Sequence, residues 1–418
     1  MLGGLKIMAD YAEMKSRFDG LKAEGLKLNM MRGKPETKQV ALSIPMLSLI
    51  TQREDMVRNG VDAANYGELA GMPEARRFFA DILGCREEQV FVGGNASLTL
   101  MYDTVAKAFT HGLLHSSSPW AKQEGLKFLC PVPGYDRHFR ITESFGFELI
   151  SVPMDEKGPD MDMVEELIKD PKVKGMWNVP KYSNPAGIIY SEETVRRIAS
   201  MKPAAEDFLL MWDNAYCVHE FDGDYVEMPD ILSLCEEYGN ADMVFEFAST
   251  SKVTFPGAGI SCFACSEANM AYMKKLLGVQ MISADKMNQL RHVLFLKDKE
   301  NTIAHMKKHA VLMKPKFDMV CDMLDREIAP EGIATWTRPK GGYFVCVRTK
   351  PGLAKRTVEL CKEAGVAVTP AGATHPYGID PEDSVIRIAP SFPPIDELEK
   401  AMEVFCVCLK LAAAEKNV

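Results

Sequence analysis

Between residues 88 and 265, short apolar runs alternate with segments whose apolar residues recur at helical spacing. Several of the runs are apolar throughout, as strands buried on both faces of a sheet should be. Strands alternating with helices predict a mostly parallel sheet with helices on both faces, in an α/β fold. The predicted strands are Gln89–Val92, Lys127–Cys130, Phe147–Val152, Gly175–Val179, Phe208–Trp212, Met243–Phe247 and Ile260–Ala264.

Polar residues mark the starts of two helices between these strands. Asp162 with Glu165 resembles a capping box and predicts a helix over Met163–Lys169. Ser191, followed by two glutamates, predicts a second helix start, because a serine side chain can accept from the first free N–H groups of a helix.

After about residue 290 the pattern changes to a long helical stretch followed by two predicted strands, Gly341–Val347 and Val385–Ile388. This pattern indicates a smaller α+β domain, completed by the N-terminal segment. We therefore predict an N-terminal arm over 1–50, a large domain over 51–290 and a small C-terminal domain over 291–418.

The composition is that of a globular protein, with 47% hydrophobic and 26% charged residues. A net charge of −9 argues against a nucleic-acid partner, because phosphate binding needs a basic surface. Neither a membrane span nor a signal peptide is evident in the sequence. The 11 scattered cysteines, including Cys262 and Cys265 in an apolar run, indicate reduced thiols and a cytoplasmic location.

Polar residues follow four of the predicted strands, at the edge of an α/β sheet where ligands bind. Small residues, Gly93 to Ser97, precede a helix and leave backbone N–H groups free for an anion. The other three strand ends carry an amide in 180–187, a carboxylate and a phenol at Asp213 and Tyr216, and Lys252 among hydroxyl groups.

In the order and spacing of these motifs, the chain resembles the fold-type I pyridoxal-5′-phosphate (PLP) enzymes, and among them the class I aminotransferases of the aspartate aminotransferase branch. The resemblance runs from about residue 29 to 390. It rests on Tyr66…Gly71…Arg76, Pro133-Gly134-Tyr135, Asn184-Pro185-x-Gly187, Asp213-x-x-Tyr216, Ser249-x-Ser251-Lys252 and Arg387. It implies a large domain with a sheet of the seven-stranded type, a PLP cofactor and a homodimer.

The resemblance also implies roles for individual residues. Lys252 would be the Schiff-base lysine and would move the substrate Cα proton, and Asp213 would face the pyridine nitrogen. Asn184 and Tyr216 would hydrogen-bond the phenolic oxygen of the cofactor, and Tyr135 would stack on its ring. The phosphate would be held by Asn95, Ala96, Ser97, Ser249 and Ser251, and by Tyr66 from a second subunit.

For the substrate, the resemblance assigns the α-carboxylate to Arg387, whose planar fork suits a carboxylate, with Asn184 nearby. The segment Arg32-Gly33-Lys34 would lie over the active site. A second carboxylate on the substrate needs a second cation, for which Arg32, Lys34, Lys286 and Arg291 are candidates.

The sequence departs from the family pattern after the lysine. The family carries an arginine seven or eight residues beyond it, which pairs with the phosphate, but here positions 259 and 260 are Gly and Ile. Lys286 and Arg291 are candidates to replace this cation.

His305 and His309 have the spacing of a zinc pair, but no third ligand is evident, so we interpret them as part of a solvated helix face and predict no metal.

Three kinds of function fit the sequence. The first is amino transfer between aspartate and 2-oxoglutarate. The second keeps the cofactor with another specificity or reaction, as in an aromatic or 2-aminoadipate transaminase, a β-decarboxylase or a C–S lyase. The third is a non-enzymatic effector domain of a transcription regulator, which the acidic charge and the lack of room for a DNA-binding domain disfavour.

Overall fold

A computed structural model describes residues 2–416, with side chains from residue 11 onward. Its helices are α1 (Leu2–Ala23), α2 (Thr37–Ala41), α3 (Pro73–Leu83), α4 (Ser97–Thr110), α5 (Asp136–Ser144), α6 (Met161–Leu167), α7 (Glu192–Ser200), α8 (Ile231–Glu237), α9 (Glu267–Gln280), α10 (Lys286–Leu296), α11 (Lys299–Glu327), α12 (Ala354–Glu363) and α13 (Ile395–Lys416).

Its strands are β1 (Leu28–Asn29), β2 (Val57–Arg58), β3 (Val61–Asp62), β4 (Val90–Gly93), β5 (Lys127–Val132), β6 (Glu148–Asp155), β7 (Gly158–Pro159), β8 (Val173–Asn178), β9 (Leu209–Asp213), β10 (Val244–Ser249), β11 (Ser261–Cys265), β12 (Ala334–Trp336), β13 (Val345–Thr349), β14 (Val366–Ala367) and β15 (Val385–Ile388). All the strands predicted from the apolar runs are present, with ends that differ by a few residues.

The main sheet has eight strands in the order β4-β11-β10-β9-β8-β5-β6-β7. The eighth is the two-residue strand β7, which pairs antiparallel with the edge strand β6. Neighbours from β10 across to β6 are parallel, and β11 is antiparallel to both β10 and β4. β4 therefore runs in the same direction as β10, and its carboxyl end lies at the same edge of the sheet. The mostly parallel α/β fold is confirmed.

The helix starts were predicted with mixed success. Ser191 caps α7 by accepting from the Thr194 N–H, as predicted. The capping box at Asp162 is wrong, because α6 begins two residues earlier and Asp160 accepts from the Met163 N–H. A carboxylate caps a helix only from the residue just before it, and Asp162 already lies inside the first turn.

The apolar residues form two clusters that include the main sheet, and a third in the C-terminal part of the chain. This third cluster joins α11, α12 and α13 to the antiparallel sheet β12-β13-β15. The N-terminal segment belongs to it, because Phe18, Leu21 and Met30 are buried there and β1 pairs with β14. The domain boundaries near residues 50 and 290 stay predictions, and α10 spans the second of them.

His305 and His309 are buried, with 6% and 2% of their surface exposed, so the interpretation as a solvated helix face is wrong. The N-terminal segment covers this side of α11. Within residues 2–416, no group of three or more potential ligands could hold a metal ion. Cys262 and Cys265 are buried free thiols, as predicted. Searching the same residues for a helix long and apolar enough to cross a membrane finds none.

Candidate active site

Asp213, the last residue of β9, is buried at the carboxyl edge of the sheet, with 3% of its surface exposed. Its Oδ2 lies 2.9 Å from Nε2 of His138, whose ring stacks on Trp177 with centroids 4.4 Å apart. In the described part of the chain, the other oxygen, Oδ1, has no hydrogen-bond partner. A buried carboxylate oxygen without a partner is costly, so this atom fits a ligand that brings an N–H donor.

His138 is a site residue that the sequence reasoning missed. It lies on α5, three residues after Tyr135, and the two rings meet edge to face at 5.0 Å. The sequence did contain one indication: His138, Ile141 and Thr142 are spaced to share one face of this short helix. The structure shows that all three are buried. That pattern indicates burial, but it does not identify the carboxylate 75 residues away.

Lys252 lies in the turn after β10, half-buried between two phenol rings. Its Nζ lies 4.9 Å from the ring centroid of Tyr216 and 6.0 Å from that of Tyr343. Burial lowers the pKa of the Lys252 ammonium, and the nearby Asp213 carboxylate opposes this shift. A lysine with a lowered pKa carries a free amine at lower pH, as a nucleophile or a base needs.

Tyr216 is buried beside Lys252. Burial raises the pKa of its phenol well above the usual value, and Tyr135 and Asp213 add smaller contributions. The Arg387 guanidinium acts in the opposite direction. Lys252 therefore lies against this phenol, and Asp213, Tyr135 and Arg387 are close enough to act on its charge.

The predicted phosphate-binding residues come together where β4 and β10 end. Ser249 Oγ lies 3.2 Å from Ser251 Oγ, which in turn donates to the Asn95 carbonyl at 3.2 Å. Ala96 is the residue before α4, and Ser97 begins this helix of 14 residues. Free N–H groups and hydroxyl groups around a helix N-terminus suit an anion.

Arg291 and Lys286, the candidates for the missing phosphate cation, have different surroundings. Arg291 Nε donates to Asn288 Oδ1 at 2.8 Å, and Asn288 Nδ2 donates to the Gly259 carbonyl at 2.8 Å. A Cβ at Gly259 would lie 3.1 Å from the Ser251 nitrogen, so two residues, Asn288 and Gly259, separate Arg291 from the hydroxyl cluster. Lys286 is buried and donates to the carbonyls of Asn65 and Gly67, the latter at 2.9 Å.

Tyr66, between these two carbonyls, is 80% exposed. Lys286 therefore fixes the backbone on both sides of a tyrosine that faces away from its own chain. This geometry makes Lys286 a support for the Tyr66 loop in the described chain, rather than a cation with free donors facing a substrate.

Arg387, on β15, is buried beside the predicted cofactor-binding amide. Its Nη1 donates to Asn184 Oδ1 at 3.1 Å and lies 3.4 Å from Asp136 Oδ1. Its Nε lies 3.3 Å from Thr369 Oγ1, and its guanidinium carbon is 4.8 Å from the ring centroid of Phe344. The contacts hold one edge and one face of the guanidinium, so the fork has a fixed orientation.

Gly33 lies against the same aromatic ring. A Cβ at this position would come within 2.6 Å of Phe344, so only glycine lets the segment approach so closely. Its neighbours Arg32 and Lys34 are exposed, and the Lys34 Nζ lies 3.7 Å from the ring centroid of Phe392. The structure thus brings Gly33 to the Arg387 side of the site and leaves both flanking cations on the surface.

His219 is a second buried residue that the sequence reasoning missed. Its ring lies edge to face with Tyr216 at 5.5 Å, and neither ring nitrogen has a partner in the described residues. Burial lowers the pKa of this imidazole well below its usual value. The only signal was its position three residues after Tyr216.

Known proteins share both the sequence and the fold of this chain. The sequence profile of the family described as "Aspartate amino-transferase" matches residues 6–418. An aspartate aminotransferase of Corynebacterium glutamicum is 46% identical over 97% of this chain and 94% of its own length. The crystal structure of an aspartate transaminase from C. glutamicum has a TM-score of 0.97 at 45% identity, covering 99% of this chain and 97% of that one.

A more distant structure shows the fold alone. The α-aminoadipate aminotransferase LysN of Thermus thermophilus, solved with N-(5′-phosphopyridoxyl)-L-leucine, has a TM-score of 0.74 at 22% identity. It covers 95% of this chain. The profile match over nearly the whole chain and the close relatives agree with the geometry around Lys252 and Asp213, and this chain belongs to the aspartate aminotransferase family of fold-type I, PLP-dependent enzymes.

Proposed function

We propose that this protein transfers the amino group of L-aspartate to 2-oxoglutarate, using PLP bound through Lys252. The observation that carries the proposal is the unpaired, buried Oδ1 of Asp213, in a site where a lysine with a lowered pKa lies between two phenols. The aspartate aminotransferase relative at 46% identity supports the choice of substrate.

The residues present fit the cofactor. Asp213 Oδ1 would accept from the pyridine nitrogen, and the hydroxyl cluster of Ser249 and Ser251 would receive the phosphate at the start of α4. When bound, the cofactor accepts electron density from the substrate Cα and carries the amino group between the two substrates. We propose Arg291 as the phosphate's cation, because it is held beside the Gly259 loop.

Lys252 would move the proton at the substrate Cα. Burial keeps its amine uncharged at a lower pH than usual, so the amine can accept this proton and then return it. The two phenol rings restrict where the amine can lie. Tyr216 would donate its hydroxyl proton in a hydrogen bond to the cofactor, because its raised pKa keeps the phenol protonated.

Arg387 would bind the substrate α-carboxylate and so orient the Cα–H bond. Asn184, Thr369 and the Phe344 ring hold its guanidinium before substrate arrives. A preorganised fork loses less freedom on binding than a mobile one, which favours both affinity and orientation.

We also propose that the enzyme is a homodimer in which Tyr66 reaches the partner subunit's phosphate site. Tyr66 is 80% exposed in the single chain, on a loop that Lys286 holds in place. Exposed apolar residues occur on nearby segments of the sequence and at the end of α9 and in the loop after it, and such residues are typical of a contact surface. They are Ile44, Leu47, Leu49, Val57, Val279 and Ile282.

The test is an amino-donor screen on the purified enzyme with PLP and 2-oxoglutarate. We expect aspartate to be the best donor and Lys252→Ala to lose nearly all turnover. A strong preference for aromatic donors or 2-aminoadipate would show that aspartate is not the substrate. Release of carbon dioxide or of a thiol without amino transfer would show that the reaction is not transamination. Full activity of Lys252→Ala would reject the assignment of the lysine.

A further inference from the structure

The peptide carbonyl that follows Lys252 accepts hydrogen bonds from two buried histidines. His305 Nε2 lies 3.0 Å from the Val253 oxygen. Burial lowers the pKa of His309, one helical turn further along α11, and the same carbonyl, as a hydrogen-bond acceptor, opposes this shift. The two Nε2 atoms lie 3.2 Å apart. A carbonyl oxygen has two lone pairs, so it can accept from both rings.

The direction of these hydrogen bonds is fixed from the N-terminal segment. The Glu36 N–H donates to Gln39 Oε1 at 3.0 Å, so the NH₂ group of Gln39 is the end that faces His309. Gln39 Nε2 lies 3.2 Å from His309 Nδ1 and donates to it. A neutral imidazole carries one N–H, which must then be on Nε2, the nitrogen that lies near His305 and the Val253 carbonyl.

Both histidines are neutral in this environment. Burial lowers the pKa of His309 to about 3, and the neighbouring His305 lowers it further. Burial also lowers the pKa of His305. The chain of hydrogen bonds from Glu36 to Val253 therefore fixes a tautomer and a ring orientation without adding a charge beside Lys252.

Other buried groups hold the neighbouring atoms of the same turn. Tyr343 donates to the Lys252 carbonyl at 3.4 Å, and Thr254 Oγ1 lies 2.9 Å from Nε2 of His292. Gln39 lies on the segment that also contains Gly33, as does Ser43, whose Oγ lies 3.4 Å from His305 Nε2. The turn bearing the lysine is thus connected, through Gln39 and His309, to the segment beside Phe344 and Arg387.

We propose that Gln39, His305 and His309 are positioning residues for Lys252. They hold the Val253 peptide, and so the direction in which the Lys252 side chain leaves the turn, through a hydrogen-bond chain that begins in the N-terminal segment. The proposal rests on the proposed function only in making Lys252 the reacting amine; the hydrogen-bond chain itself can be measured independently of any activity.

The first measurement is the tautomer of His309, read from ¹⁵N chemical shifts of histidine-labelled holoenzyme and assigned with His309→Gln. We expect the Nε2–H form in the wild type. Gln39→Leu removes the donor to Nδ1 and should abolish this preference. An Nδ1–H form in the wild type would overturn the proposal whatever the enzyme's substrate proves to be.

The second measurement compares His309→Leu with His309→Gln in the holoenzyme. Leucine removes the donor to Val253, whereas the glutamine Nε2–H lies at the position of the histidine Nε2–H. We expect His309→Leu to lower kcat roughly tenfold or more, with little change in KM, and to shift the pH midpoint of the cofactor absorbance by roughly half a unit. His309→Gln should restore most of both.

Thr302→Val is the matched control. Thr302 is buried on α11 and donates to the Asp298 carbonyl at 2.7 Å, so its loss weakens the same helix without touching the lysine turn. We expect a lower Tm with an unchanged absorbance midpoint. If His309→Leu only lowered Tm, as the control does, the histidines would be structural and the proposal wrong. If the wild type used another amino donor, the same comparison would be made with that donor.

Discussion

The carboxylate of Asp213 and the imidazole of His138 meet at 2.9 Å, both almost fully buried. This contact occupies one carboxylate oxygen and leaves the other without a partner among the described residues. Because His138 also stacks on Trp177, its ring is restrained from turning. In the proposed function, the orientation of the carboxylate that would face the pyridine nitrogen therefore depends on His138.

Replacing His138 tests this dependence. His138→Phe keeps a ring against Trp177 but removes the contact with Asp213, so the carboxylate should lose its fixed orientation. We expect kcat/KM for aspartate to fall roughly 10- to 100-fold, the range found when a supporting hydrogen bond behind a functional ligand is lost. Steady-state kinetics would show this, and His115→Phe, which breaks the exposed 2.8 Å His115–Asp242 pair, serves as the control. Equal activity of the two variants would show that Asp213 needs no support.

The cation at the phosphate site can be tested by cofactor affinity. Arg291→Met should weaken PLP binding roughly tenfold or more, because a dianion loses its charged partner. Lys286→Met should act differently, by releasing the carbonyls of Asn65 and Gly67 and so loosening the Tyr66 loop. The measurements are PLP titration of the apoenzyme and light scattering. If only Lys286→Met weakened PLP binding, Lys286 would be the phosphate's cation and Arg291 would not.

The strands and the residues at their ends were predictable because burial on both faces leaves a local signal in the sequence. Asp213 follows such a run directly, Asn184 and Lys252 follow within a short turn, and the order of the motifs identified all three as candidates. The sheet order then brings these strand ends together without further information.

The partners of buried polar side chains were not predictable. His138 is 75 residues from Asp213, and Lys286 is 221 residues from Asn65. His305 and His309 were interpreted as a solvated face because no third metal ligand was evident near them, whereas Gln39 and Ser43, far away in the sequence, cover both histidines. Periodicity indicates which face of a helix points inward only when the buried residues are apolar.

Glu246 should make the folded chain less stable as pH rises. It is buried on β10, Asn214 donates to its Oε1 at 3.0 Å, and burial raises its pKa to about 8. Between the unfolded value of about 4.5 and this value, only the folded state keeps the proton, so each pH unit removes up to ~1.4 kcal/mol of stability. Glu246→Gln should flatten the dependence of Tm on pH between 5 and 8. The exposed Glu192→Gln should not, and parallel curves for wild type and Glu246→Gln would contradict the assignment.

The last prediction concerns the second carboxylate of the substrate. Arg387 is proposed to bind one carboxylate, and a buried second carboxylate needs its own cation. Lys286 uses its ammonium on two backbone carbonyls, and Arg291 lies at the proposed phosphate site. This leaves Arg32 and Lys34, which are exposed in the single chain on either side of Gly33.

Arg32 is the stronger candidate, because Lys34 already lies over the Phe392 ring. Arg32→Ala should lower kcat/KM for aspartate roughly thirtyfold or more, since losing one partner of a desolvated charge pair costs ~2–5 kcal/mol. The same variant should keep most of its activity with alanine, which has no second carboxylate.

The measurement is kcat/KM with aspartate and with alanine. Lys38→Ala is the control, because it removes an exposed charge from the following helix. Equal losses with aspartate and alanine would mean that Arg32 supports the site as a whole. If both Arg32→Ala and Lys34→Ala kept full aspartate activity, the cation would have to come from elsewhere in the dimer, or the enzyme would not select a dicarboxylic donor.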